Sequence, residues 1–164
     1  MAECSTSIEV GKNVLVEWSP ACGDADFLTL TYKLFGSTNT KGRNFAASTA
    51  DTTNDNSGAY TSTIVTRLDG DITVSGFQDK IDSVLSNQLE YIAYLHNEVQ
   101  AGRQPSCWIK ISGPGYGIIE YIYCVITGEE KGFNTDDPNS FSTSLKPTNT
   151  DAPGVQAYNA VPVV

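Results

Sequence analysis

At 164 residues and 40% hydrophobic content, the chain is long enough to bury one core of its own without a structural metal or disulfide staples. A net charge of −9, from 19 acidic and 10 basic side chains, argues against a surface that grips nucleic acid, because phosphate contacts need clustered Lys and Arg. The opening MAECSTSIEV has neither the basic start nor the apolar core of a signal peptide, and no run reaches membrane-span length. The expectation is therefore a chain made and kept in a cytosol, with its four cysteines reduced.

Residues 1–12 are polar and read as a flexible arm. Asn13–Ser19 sets Val14, Val16 and Trp18 against Asn13, Leu15 and Glu17, the alternation of a half-buried strand. Leu28–Phe35 alternates in the same way, with Leu28, Leu30, Tyr32 and Leu34 on the apolar face. Gly36–Ala59 is almost entirely Gly, Ser, Thr, Asn and Asp apart from Phe45 and its Ala neighbours, so it reads as a long polar loop, with a short extended piece near Asn44–Ser48. Thr61–Leu68 and Asp71–Phe77 read as two strands joined by a tight Asp69-Gly70 turn. The period then changes. Ile81, Val84, Leu85, Leu89, Ile92, Leu95 and Val99 lie three and four apart and predict one amphipathic helix over about Asp79–Gly102, with Asp79 as N-cap and Gly102 as the stop.

Ser106–Ser112 and Ile118–Thr127 follow as strands around a Gly113-Pro114-Gly115-Tyr116-Gly117 turn. Ile118–Thr127 is apolar on both faces and must be covered on both, by core or by a second subunit. Phe141–Lys146 is a last short strand, and residues 147–164 form a Pro-, Asn- and Thr-rich tail, read as flexible. The sum is one domain over residues 1–164. It is mainly β, an antiparallel sandwich or barrel of about seven or eight strands with one flanking helix.

No catalytic constellation emerges. Gly113, Gly115 and Gly117 precede a strand, whereas a phosphate-binding glycine loop opens a helix. His96 has no second histidine and falls at the solvent edge of the helix. Asp51, Asn54, Asp55 and Asn56 lack the alternation and distant Glu of a calcium loop and read as a turn, as does Asp136–Asn139. Cys107 and Cys124 sit in strands without metal-ligand spacing and read as buried core. The expectation is no enzyme, no metal and no cofactor.

The order of these segments resembles the major tail tube proteins of tailed bacteriophages. The resemblance runs over about residues 28–147. It is carried by Asp51-Thr52-Thr53-Asn54 through Ser57-Gly58, by Asp71-Ile72-Thr73-Val74-Ser75-Gly76 ahead of a single helix, and by Trp108–Ile111, Tyr121–Thr127, Gly132–Asp137 and Phe141-Ser142. It implies a structural subunit forming hexameric rings whose inner sheets join into a continuous barrel. The rings stack into a hollow tube, a conduit for the genome. On that reading Gly36, Ser37, Thr38, Asn39, Asp51, Thr52, Thr53, Asn54 and Asp55 belong to a loop that meets the next ring, and Thr73, Ser75, Ser142 and Ser144 face the lumen. An acidic lumen lets DNA slide without specific binding. The implied partners are further copies of the chain, tail initiator and terminator proteins, a tape measure and a sheath, with no membrane. The implied place is the virion tail, assembled in the host cytoplasm. Cys4 and Cys22 match no family pattern, and both fall in polar segments. They are candidates for a disulfide between subunits once a particle meets oxidising surroundings, if their Cα atoms come within ~7 Å. Two other readings stand beside this one. The first is the tube protein of a bacterial contractile, type VI-like secretion system. The second is a monomeric β-sandwich binding module with Trp18, Trp108, Tyr116 and Tyr121 as a sugar platform.

Overall fold

Alternating burial builds most of the observed sheet. In the computed structural model, which describes residues 13–53, 63–78 and 87–163, β1 (Leu15–Ser19) buries Val16 and Trp18 and exposes Leu15. β5 (Ser106–Ser112) and β6 (Ile118–Gly132) pair across the glycine-rich turn, where the Tyr116 N–H donates to the Gly113 carbonyl at 3.1 Å and Gly117 takes a φ of 71°. β7 (Ser140–Pro147) turns Phe141, Thr143 and Leu145 inward, and β4 (Thr63–Phe77) does the same with Ile72 and Val74. With β2 (Lys33–Leu34), β3 (Thr38–Asp51) and β8 (Tyr158–Pro162), the eight strands form one antiparallel sheet. Its order is β2-β1-β5-β6-β7-β4-β3, with β8 beside β6. The mainly β, antiparallel, one-helix architecture is the one expected. The sheet does not close into a barrel: Lys41 Nζ donates to the Val14 carbonyl at 2.6 Å across a cleft of about 230 Å³ between β3 and β1.

Helix α1 (Gln88–Gln100) covers the inner face. Tyr91 is its anchor, with ring-centroid distances of 5.0 Å to Trp18 and 4.9 Å to Phe35, and its hydroxyl shares a 2.7 Å hydrogen bond with Thr143. The Tyr94 hydroxyl donates to the Ser106 carbonyl at 2.6 Å. Burial raises the phenol pKa of both tyrosines, so both stay neutral donors. A second apolar cluster lies on the other side of β5 and β6, where Trp108, Tyr121 and Tyr123 meet Phe27, Tyr32 and Val161. The doubly apolar strand is therefore covered on both faces by its own chain, and it needs no second subunit for that purpose.

Several sequence-based expectations are corrected. The predicted Leu28–Phe35 strand shrinks to Lys33–Leu34. Leu28 and Leu34 are exposed while Phe35 is fully buried, because Phe35 packs on Tyr91 and sets the register. Most of the predicted polar loop is β3, paired with β4 along its whole length, since backbone pairing needs no apolar side chains. Asp69-Gly70 is no turn but lies mid-strand. A Cβ at Gly70 would come 2.5 Å from the Phe45 ring, so glycine there serves a close approach rather than a reversal. The helix begins at Gln88 after the non-helical Asn87. Of the predicted stripe, Ile92 and Leu95 pack on the core, while Leu89 and Val99 are exposed and Tyr91 and Tyr94 turn inward, a partial rotation. Asp79, Ile81, Val84 and Leu85 lie outside the described residues. The C-terminal stretch read as a flexible tail carries β8, paired with Ile118–Ile122 of β6. The arm over residues 1–12 lies outside the described residues.

Candidate functional site

Two surfaces stand out, and both grow from β4. The first is the polar face of β6, β7, β4 and β3. β7 pairs with β4 so that Ser142 faces Ser75 and Ser144 faces Thr73. The four lumen candidates thus form one compact patch. β3 adds Thr40 opposite Ser75 and Gly42 opposite Thr73, and β6 adds Glu130 opposite Ser142 and Gly128 opposite Ser144. Its side chains at these positions are short, and Glu130, Asp71 and Asp69 outnumber Lys146, whose Nζ lies 3.4 Å from Asp69 Oδ1. The inward residues of the same strands, Ile72, Val74, Phe141 and Leu145, are buried, which fixes the polar ones outward.

The second surface is the far half of the β3–β4 hairpin. Pairing with β7 stops at Ile72, whereas β3 and β4 run on together to Asp51 and Thr63. This projecting half has solvent on both faces, with Ile64, Val65 and Leu68 exposed at 52%, 63% and 70%. At its end the Asp51 carboxylate accepts from the Thr53 N–H at 2.8 Å and from the Thr53 hydroxyl, bonds that hold its pKa below the usual range. A groove of about 760 Å³ separates Thr66–Gly70 of β4 from Pro147–Asn149 and Tyr158.

The structure divides the predicted loop residues. Gly36, with a φ of 96°, and Ser37 precede β3, and Thr38 and Asn39 begin it. Asp51, Thr52 and Thr53 lie at the opposite end of the hairpin, about 40 Å away for a strand of this length. Asn54 and Asp55 lie outside the described residues, as does Cys4; Cys22 is exposed and free. Cys107 and Cys124 face each other across β5 and β6, both buried, and burial raises both thiols far from reactivity. His96 is exposed. Trp18, Trp108 and Tyr121 are buried, and the Tyr116 hydroxyl is bonded to Glu120, so these aromatics offer no sugar platform. Among the described residues there is no metal-binding group of acidic, His and Cys side chains. Sequence reasoning missed Glu120 and Arg43, an ion pair of a fully buried carboxylate and a partly exposed guanidinium at the root of the hairpin. The available signal was a lone acid inside the doubly apolar run Ile118–Val125.

No family model matches the chain, and no curated protein does. Solved structures do. The tail of an empty gene transfer agent particle with C6 symmetry is 13% identical with a TM-score of 0.63, over 96% of this chain and 100% of that one. The SPP1 tail tube is 11% identical with a TM-score of 0.59, over 94% of this chain and 80% of that one. A chain of the anti-feeding prophage baseplate is 7% identical with a TM-score of 0.59, over 96% and 98%. With both sheet surfaces and these likenesses in hand, the fold of the chain is the one shared by tail-tube subunits.

Proposed function

We propose that the chain is a tail-tube subunit, a structural protein that closes into hexameric rings and stacks into a hollow tube for genome delivery. The observation that carries this reading is the sheet portion β6–β7–β4–β3, polar on its outward face and, among the described residues, open along β3 and along β6 past Ile126. β3 pairs only with β4, and β6 past Ile126 has no partner on its β5 side. Unpaired edges invite pairing, and joining one edge to the opposite edge of the next copy is a head-to-tail contact that closes rings. Such a ring turns Thr73, Ser75, Ser142 and Ser144 toward the bore, where short, slightly acidic side chains let DNA pass without holding it. The projecting half of the hairpin takes the inter-ring role, in place of a loop, and offers Ile64, Val65 and Leu68 to the next ring. Tail initiator, terminator, tape-measure and sheath proteins are the further partners in the virion tail, after assembly in the host cytoplasm.

The test is sedimentation and negative-stain microscopy of the purified chain at rising concentration, with and without tail initiator components. Six-fold rings or tubes are expected. Monomer under every condition overturns the reading. The likeness to the anti-feeding prophage baseplate favours a second reading, the tube of a contractile injection apparatus, which gives the same rings. Neighbouring genes for a capsid and a tape measure separate the two.

A further inference from the structure

Glu120 is the only acidic side chain fully buried among the described residues, at 0% exposure. Its carboxylate collects donors from three separate segments. Arg43 of β3 places Nη2 3.2 Å from Oε1, the Tyr158 hydroxyl of β8 donates to Oε1 at 2.5 Å, and the Tyr116 hydroxyl of the β5–β6 turn donates to Oε2 at 2.9 Å. Arg43 also donates to the Tyr116 oxygen at 3.4 Å, and its guanidinium lies 5.0 Å from the centroid of the Phe45 ring. Phe45 meets Tyr158 edge-on at 6.0 Å and lies against Gly70. Burial alone would weaken the Arg43 cation, but the Tyr116 bond and the Glu120 charge outweigh it and raise its pKa.

The position of this cluster gives it meaning. Arg43 pairs with Ile72, the last β4 residue held by β7, so Arg43 and Phe45 mark the point where the hairpin leaves the sheet. Beyond it, β4 and β8 stand apart across the groove, and the described contacts linking hairpin and C-terminal strand run through Glu120 and Phe45. Burying the Glu120 carboxylate beside a guanidinium that still reaches solvent adds little net stability, yet its directional bonds demand one arrangement. We propose that Glu120 is a positioning residue for the projecting hairpin: by holding Arg43 and Tyr158 on one carboxylate, it sets the angle at which the hairpin leaves the sheet and couples that angle to the docking of β8. The coupling stands on these contacts alone, while its bearing on ring stacking rests on the tube reading.

The experiment is hydrogen exchange on the monomeric protein, read by peptide, for Glu120→Gln, Tyr158→Phe and the double variant Arg43→Met with Glu120→Gln. In Glu120→Gln, residues 43–51, 63–71 and 158–162 exchange about tenfold faster, the size of one lost charge-assisted bond, while Ser106–Ser112 is unchanged. Tyr158→Phe, although outside the hairpin, speeds exchange in residues 43–51. The double variant, which removes both charges, keeps its hairpin fast, because no carboxylate is left to gather the two strands. Hairpin exchange unchanged from the parent, or raised equally in Ser106–Ser112, overturns the proposal. Should Glu120→Gln fail to fold, Tyr158→Phe decides alone, and an unaltered hairpin overturns the coupling. The readout needs no assembly, so it stands or falls separately from the tube reading.

Discussion

From Ile72 to Phe77, β4 has β3 on one side and β7 on the other, and Ile72 and Val74 are 1% and 0% exposed. From Thr63 to Asp69 the same strand has β3 alone, and every side chain is exposed. The near half has the alternation of a strand on a core. The far half has apolar side chains with no core to enter, on a two-stranded ribbon that is marginal in water by itself. The difference separates what folds the chain from what the chain offers to others. Ile64, Val65 and Leu68 contribute little to the monomer, and on the proposed tube reading their apolar surface meets the next ring.

Phe141→Ala, beneath the near half, is expected to cost about 3–5 kcal/mol in chemical denaturation, whereas Leu68→Ala in the far half stays within about 0.5 kcal/mol and lowers assembly instead. Equal losses at both sites would erase the distinction. The boundary between the halves is tested next. Gly70→Ala drives a methyl into the Phe45 ring and is expected to cost about 1–3 kcal/mol, with partial relief from an added Phe45→Leu. A thermal midpoint unmoved by Gly70→Ala would mean that the hairpin root is loosely packed. The smallest effect is a pH dependence at the same root. Burial and the bond to Glu120 push the Tyr158 hydroxyl up to about 12. The folded state therefore holds that proton more tightly than the unfolded chain. Its contribution is complete below pH 10 and is lost as pH rises from 10 through 12. The thermal midpoint of the parent should fall more steeply over that window than that of Tyr158→Phe, and equal slopes would remove Tyr158 from the root.

Much of the near half was legible in the residues. Val16 and Trp18 of β1, the inward set of β7, and the turn at Gly113–Gly117 all follow from one-sided burial and from glycine chemistry, which are local properties. The patch of Thr73, Ser75, Ser142 and Ser144 was nameable residue by residue, but only the antiparallel register of β4 and β7 makes it one surface.

The far half was not legible, for a physical reason. β3 is polar because it has no core beneath its outer stretch, so a strand held by backbone hydrogen bonds alone carries the composition of a loop. Asp69-Gly70 has the chemistry of a turn, and only the Phe45 ring resting on Gly70 shows that the missing side chain was needed for space. The helix stripe kept Ile92 and Leu95 but took in Tyr91 and Tyr94 in place of Leu89 and Val99, because tyrosines count as half-polar in a pattern, whereas Thr143 and the Ser106 carbonyl let their hydroxyls go inside. Period and composition thus determined which segments bury one face; the tertiary structure decided the fate of residues whose partners lie far along the chain, since a buried charge such as Glu120 is tolerable only where Arg43, Tyr116 and Tyr158 converge on it.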